Sequence, residues 1–214
     1  MFLSYLKLNR ANPHVRRCLG NAYEMHRTIL SAFGQVEGEN AREELGITYR
    51  LFMEDELKVY VLHKASADWE LITEKGFMLA KTPNNPKNIN SVVDGIEEGH
   101  RYMFDILCSP TKKIPREGKL SHRKFISEVE ERYAWLERKA EQNGFLLMGN
   151  SVYESGQEKI MITKKGSGKG TQVGVRFCGE LVVTEETLFK KAFEEGIGSG
   201  KAFGLGMLML FPKR

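Results

Sequence analysis

The chain reads as an α+β protein made of two tandem βαββαβ units. Two observations predict this. Apolar residues alternate with period two in short runs and recur with spacings of three and four in others, so strands and helices follow one another along the chain. The same element order, with the first strand of the second unit unassigned, then recurs beyond a stretch rich in Pro, Lys and Gly. The βαββαβ order is that of the ferredoxin-like unit.

Residues 2–9 alternate and predict a strand buried largely on both faces. Asn12-Pro13 marks a turn. Over residues 14–33, Val15, Leu19, Ala22, Met25, Ile29 and Leu30 follow helical spacing. Gly20-Asn21 interrupts that run, which predicts a kink or a restart with Asn21 as N-cap. Residues 47–53 and 57–63 form a strand pair around Glu54-Asp55-Glu56. Residues 68–75 predict a short helix with Trp69 and Ile72 inward, and residues 101–107 a strand that closes the first unit. The first domain is thus residues 1–109, and residues 110–119 are a linker.

The second domain, residues 110–214, opens on a long helix over 121–142. Phe125, Val129, Ala134, Trp135, Leu136 and Ala140 make its core stripe, and Asn143-Gly144 stops it. Strands follow at 145–148 and 159–163, a turn at 164–170, and a strand at 172–183. A helix begins at Thr184, and a glycine-rich loop leads to a last strand at 206–211.

Composition narrows the function classes. A net charge of +4 and a pI near 8.9 permit a polyanionic partner without demanding one. Cys18, Cys108 and Cys178 form no CxxC pair, so the sequence suggests neither a zinc site nor a disulfide framework. The expected compartment is the cytoplasm: the N-terminus lacks a signal-peptide pattern, and no apolar run approaches membrane-spanning length. No close carboxylate cluster supports a metal-dependent nuclease, since Glu54-Asp55-Glu56 reads as a turn.

Tyr23, His26 and Arg27 are the candidate chemistry. Tyr23 and His26 are three apart and share a helix face, and Arg27 lies on its edge. An imidazole, a phenol and a fixed cation can move a proton at a phosphate ester and hold its charge. A restart at Asn21 places them near free N–H groups, which favour phosphate. Residues 166–171 imitate part of a P-loop, but Thr163 stands where its first glycine is needed and a strand follows instead of a helix. The alternatives there are a solvated turn or a basic finger carrying Lys164, Lys165 and Lys169. The glycines of 196–206, including Gly198 and Gly200, permit close approach to the protein's own sheet or to a phosphate backbone, with Lys201 adding charge. A further basic cluster comprises Lys112, Lys113, Arg116, Lys119, Arg123 and Lys124. His14, His63, His100 and His122 read as surface residues.

Four segments together resemble one family. These are Asn21-Ala22-Tyr23-Glu24-Met25-His26-Arg27-Thr28, Pro110-Thr111-Lys112-Lys113, Ala134-Trp135-Leu136-Glu137-Arg138-Lys139, and the glycine loop 196–206 followed by Met207-Leu208. In order and spacing they resemble the CasE-type endoribonucleases of type I-E CRISPR systems, in the RAMP superfamily. The resemblance implies two ferredoxin-like domains and metal-independent, cofactor-free cleavage of CRISPR precursor RNA at the base of each repeat hairpin. Attack by the ribose 2′-OH would leave a 2′,3′-cyclic phosphate and a 5′-OH. His26 would transfer the proton, Tyr23 would position or polarise the nucleophile, and Arg27 would contact phosphate. The basic hairpin would approach the RNA major groove near a helix end, because an A-form groove is narrow. The product would stay bound and join a Cascade assembly. The sequence departs from the family at Leu107-Cys108-Ser109, where Arg-Ala-Asn is common, so Lys112 or Lys113 would substitute. It also lacks the lysine some members carry after Arg27. The alternative is a non-cleaving module of the same fold that holds an RNA hairpin, for which the Tyr23–His26 pair has no use.

Overall fold

A computed structural model of the chain describes residues 1–34, 41–73, 75–79, 84–116, 119–164, 166 and 168–213. β1 (Phe2–Lys7) leads to α1 (Pro13–Gly20), whose first N–H groups, those of His14 and Val15, are accepted by the Asn12 side chain. Then follow α2 (Ala22–Ser31), α3 (Ala41–Glu44), the hairpin of β2 (Thr48–Phe52) and β3 (Lys58–His63), the two-residue β4 (Lys87–Asn88), and α4 (Asn90–Asp94). The first sheet has the order β2-β3-β1-β4. Leu6, Val59 and Val61 pack from it against Val15, Met25 and Ile29 of the two helices. Each such side chain, fully buried, contributes about 1.5–3 kcal/mol.

The helix expected over 68–75 contracts to one 3-10 turn, Trp69–Leu71, although Trp69 and Ile72 are buried as anticipated. A segment that short gains too few hydrogen bonds to offset helix nucleation. His63 is fully buried, against the surface reading. Its Nδ1 donates to the Ala65 carbonyl at 2.6 Å, leaving Nε2 to accept from the Ser4 hydroxyl at 2.9 Å, which in turn accepts from the Trp69 indole at 3.0 Å. This histidine is a satisfied core group.

The second half comprises β5 (Arg101–Cys108), β6 (Thr111–Arg116), β7 (Lys119–Phe125), α5 (Val129–Gln142), β8 (Phe145–Leu147), β9 (Tyr153–Lys164), β10 (Gly168–Val183), α6 (Glu186–Glu195) and β11 (Leu208–Pro212). Its sheet has the order β11-β5-β10-β8, with β9 paired to β10. Phe104, Ile106, Phe177 and Leu181 meet Trp135 and Phe189 of the helices in its core.

Two sequence expectations are corrected here. The strand at 101–107 does not close the first sheet. It is central in the second, running antiparallel to β10 from Arg101 opposite Val182 to Cys108 opposite Val175. Its apolar face belongs to the second core, and the place beside β1 is taken by β4, which pairs with Phe2 and Leu3. The linker and the first turns of the long helix are instead the β6–β7 hairpin, and α5 starts at Val129. Residues 119–125 hold only two apolar residues, Leu120 and Phe125, so no period-two pattern marks the strand, and the spacing of Phe125 with Val129 points to a helix.

β10 outruns its neighbour. Residues 175–182 pair with β5, but residues 168–174 pair with β9 alone and project as a two-stranded ribbon. That ribbon crosses to the first half of the molecule.

Candidate active site and nucleic-acid interface

The site forms where the ribbon, the start of α2 and the glycine loop meet. Asn21 ends α1 and begins α2 in extended conformation, φ −151°. Its Oδ1 accepts from the N–H of Tyr23 at 3.2 Å, as the N-cap reading expects. The same oxygen accepts from the Thr163 N–H at 2.9 Å, and the Asn21 Nδ2 donates back to the Thr163 carbonyl at 2.9 Å. One side chain therefore caps the helix and clamps the ribbon to it. Thr163 lies opposite Lys169 and next to Lys164, so both exposed lysines stand at the start of α2. Lys165 lies outside the described residues.

The glycine loop closes the other side. Gly200 and Gly204 both have φ +81°, a region that favours glycine. A Cβ on Gly204 would lie 2.9 Å from the Tyr49 ring, and one on Gly200 would lie 2.3 Å from the Gln172 side-chain oxygen. The close approach these glycines allow is thus to the protein itself. The buried Tyr49 hydroxyl lies 3.3 Å from the Ala202 carbonyl and 3.5 Å from that of Ala22, holding loop and helix together. Lys201, on the 3-10 turn Lys201–Phe203, is half-buried.

His26 is half-buried, with Phe203 edge-on at 6.5 Å between ring centroids. Burial pushes its pKa down to about 4, and the Arg42 guanidinium adds to the effect. The imidazole is therefore neutral at pH 7, with a ring nitrogen lone pair available and a weakened affinity for a proton. Burial likewise lowers the Lys201 pKa, with Arg42 the next cause and Glu195 and Glu43 opposing. His26, Arg42 and Lys201 share one electropositive environment. Arg42 comes from α3, where its Nη1 donates to the Ile47 carbonyl at 3.0 Å.

The remaining candidates divide. Tyr23 is half-buried on α2 three residues before His26. Arg27 is exposed and lines a different cleft with His14, Arg17 and Glu24, so it does not join Arg42 and Lys201. Lys112 is engaged with Glu131 at 2.6 Å. Lys113, Arg123, Gly198 and Lys201 line a concave pocket beside the loop, together with Arg138 and Lys139. The backbone of Arg116 pairs with Lys119, and its side chain lies outside the described residues. Arg42 was missed because nothing in the sequence between 34 and 46 indicates which way the chain returns. Arg138 and Lys139 were seen only as part of a helix motif. Among the described residues, no three His, Cys, Asp or Glu side chains are grouped so as to hold a metal ion, and no helix is long and apolar enough to cross a membrane.

Comparison with known proteins decides the family. Residues 1–212 match the profile of a family described as CRISPR associated protein. The chain belongs to this family. It is 31% identical over 226 residues to the CRISPR-associated endoribonuclease Cse3 of Thermus thermophilus, covering 99% of this chain and 100% of that one. Its fold is similar to CRISPR endoribonuclease Cse3 bound to a 19 nt RNA, with TM-score 0.82, 29% identity, and coverage of 99% and 100%. It is also similar to Thermus thermophilus Cse3 bound to an RNA representing a pre-cleavage complex, with TM-score 0.82, 28% identity, and coverage of 99% and 98%. At 18% identity and TM-score 0.68, covering all of both chains, the Cas6e protein of Escherichia coli K-12 shares the fold.

Proposed function

We propose that this protein is an endoribonuclease that processes CRISPR precursor RNA, cutting at the base of the repeat hairpin without a metal ion. The observation that carries the reading is the half-buried His26 at the start of α2, packed against Phe203 on the turn that carries Lys201 and in the field of Arg42. Its neutral imidazole takes the proton of the ribose 2′-OH. The 2′ oxygen attacks phosphorus, the bond to the 5′ oxygen breaks, and the departing oxygen takes a proton from solvent water while the imidazolium returns its own to solvent. The products are a 2′,3′-cyclic phosphate and a 5′-OH. Arg42 and Lys201 stabilise the charge that builds on the phosphate oxygens, and Tyr23 positions the nucleophile.

The frame supporting this site is two ferredoxin-like units. Each sheet places its unit's strands in the order 2-3-1-4, read in one direction or the other. On that reading the first unit ends at β4 and the second begins at β5, ahead of the 109/110 division. The basic tip of the β9–β10 ribbon, with Lys164 and Lys169, contacts phosphates of the hairpin stem. Family membership and likeness to RNA-bound Cse3 support an RNA substrate. The product RNA stays bound, and the complex joins a Cascade-type assembly in the cytoplasm.

The test is cleavage of an end-labelled repeat hairpin in excess EDTA, with analysis of the new ends. Cutting to a cyclic phosphate is expected. Loss of cutting in EDTA, restored by added magnesium, overturns the metal-free reading.

A further inference from the structure

The pocket beside the glycine loop gathers positive charge that an anion would offset. It is a concavity of about 430 Å³, and the charged residues lining it are Lys113, Arg123, Arg138, Lys139 and Lys201, with no carboxylate among them. Burial lowers the Lys139 pKa, and Arg138 and Arg123 lower it further. No ion pair engages Lys113, Arg123 or Arg138 among the described residues.

The β6–β7 hairpin gives an independent sign. Lys113 lies directly opposite Arg123, and Lys112 directly opposite Lys124. Like charges in cross-strand positions destabilise a hairpin. Glu131 relieves Lys112, but the Lys113–Arg123 pair faces the pocket and has no such relief. A chain that keeps this repulsion on the wall of a cationic pocket is arranged for a polyanion.

Position says which part of the polyanion. Asn21 holds the ribbon tip at the start of α2, and Tyr49 holds the glycine loop at the same helix start. Lys201, which lines the pocket, opens the same 3-10 turn whose Phe203 packs edge-on against His26. The pocket therefore adjoins His26 through the glycine loop.

We propose that this pocket binds backbone phosphates of the single-stranded RNA that flanks the repeat hairpin. The inference rests on the cleavage reading above: with the stem on the ribbon and its base over His26, the strand running on past the base enters the pocket. The flank so held draws the scissile phosphate taut across His26.

The experiment uses the full chain and the double variant Arg123→Gln/Arg138→Gln, whose changed side chains are both exposed. Three RNAs carry 2′-deoxyribose at the scissile position: the bare hairpin, and the hairpin with about six nucleotides added on the 5′ or the 3′ side, a length set by one cationic pocket. Affinity for at least one flanked RNA should fall about tenfold, and its log–log salt slope by about 1.4, two phosphate contacts at roughly 0.7 each. Affinity for the bare hairpin should stay within about twofold. Equal losses for bare and flanked RNA would place the contacts on the stem and overturn the inference, as would no loss with any RNA. Wild-type protein that binds the hairpin no better than an unrelated duplex would remove the cleavage reading itself, and the inference with it.

Discussion

His26 and Asn21 carry most of the argument at the scale of single residues. The depressed pKa of His26 has a definite sign for stability. Between about pH 6.5 and about pH 4 the unfolded chain binds a proton that folded His26 refuses, so folding weakens as pH falls through that window. The buried His63 acts in the same direction. Urea unfolding should therefore show a smaller loss of stability between pH 7 and pH 4.5 in His26→Gln than in wild type; equal losses would contradict the burial argument. Asn21 makes a second prediction. Asn21→Ala should cost about 1–2 kcal/mol, a lost cap together with lost bonds to Thr163. Asn21→Asp keeps the cap acceptor and loses the donor to the Thr163 carbonyl, so it should cost less in thermal melting while still weakening hairpin binding. Asn21 was legible as a cap because residue type and the break at Gly20 both signal one. Its second partner, 142 residues away in sequence, was not legible from local pattern.

Among the elements, the ribbon and the glycine loop meet at the start of α2, and the sequence revealed them unequally. A turn within 164–170 was readable from its glycines and lysines, although Lys164 and residues 168–170 pair as strand. The reach of β10 beyond β5 was not, since strand length says nothing about which neighbour stops first. The loop's glycines suggested close approach, but Tyr49 and Gln172 are the partners, and both lie far away along the chain. Gly204→Ala places a Cβ against the buried Tyr49 ring at φ +81°. The left-handed conformation alone costs an alanine about 1–2 kcal/mol. Melting temperature should fall by several degrees, and because the displaced turn carries Lys201, single-turnover cleavage should slow as well. A variant with native cleavage would mean the loop does not set the site. The strand at 101–107 was legible as a strand and misplaced as a neighbour, because alternation shows which face is apolar and not which core receives it.

The two halves of the molecule are joined by buried charge as well as by the ribbon. Arg50 of β2 is 2% exposed, lies 5.3 Å from the Phe52 ring centroid and 3.6 Å from Glu158 of β9, and leaves Nε and Nη1 without a protein hydrogen-bond partner among the described residues. Nearby, Arg176 binds Asp105 at 2.6 Å and Glu54 at 3.2 Å. Because burial of an incompletely paired cation offsets its Coulombic gain, Arg50→Met should melt within about 1 kcal/mol of wild type or above it, whereas Arg50→Ala should be destabilised through its cavity. Equal destabilisation by both would show that the charge itself holds the halves together. The element pattern gave strands and helices in both halves but put the strand at 101–107 in the first sheet, where β4 stands instead. The crossing of the ribbon onto α2, which makes one site out of two sheets, needed the folded structure.

The central claim is that the start of α2 is a catalytic centre and more than a grip on RNA. The most direct measurement compares wild type with His26→Ala on one repeat hairpin, recording the single-turnover cleavage rate and the dissociation constant of the uncut RNA. The account predicts that the rate falls by about 100-fold or more, as removal of a general base should do, while the dissociation constant stays within about twofold. A wild-type protein that binds the hairpin tightly and never cuts it, or a variant that cuts as fast as wild type, would contradict the account.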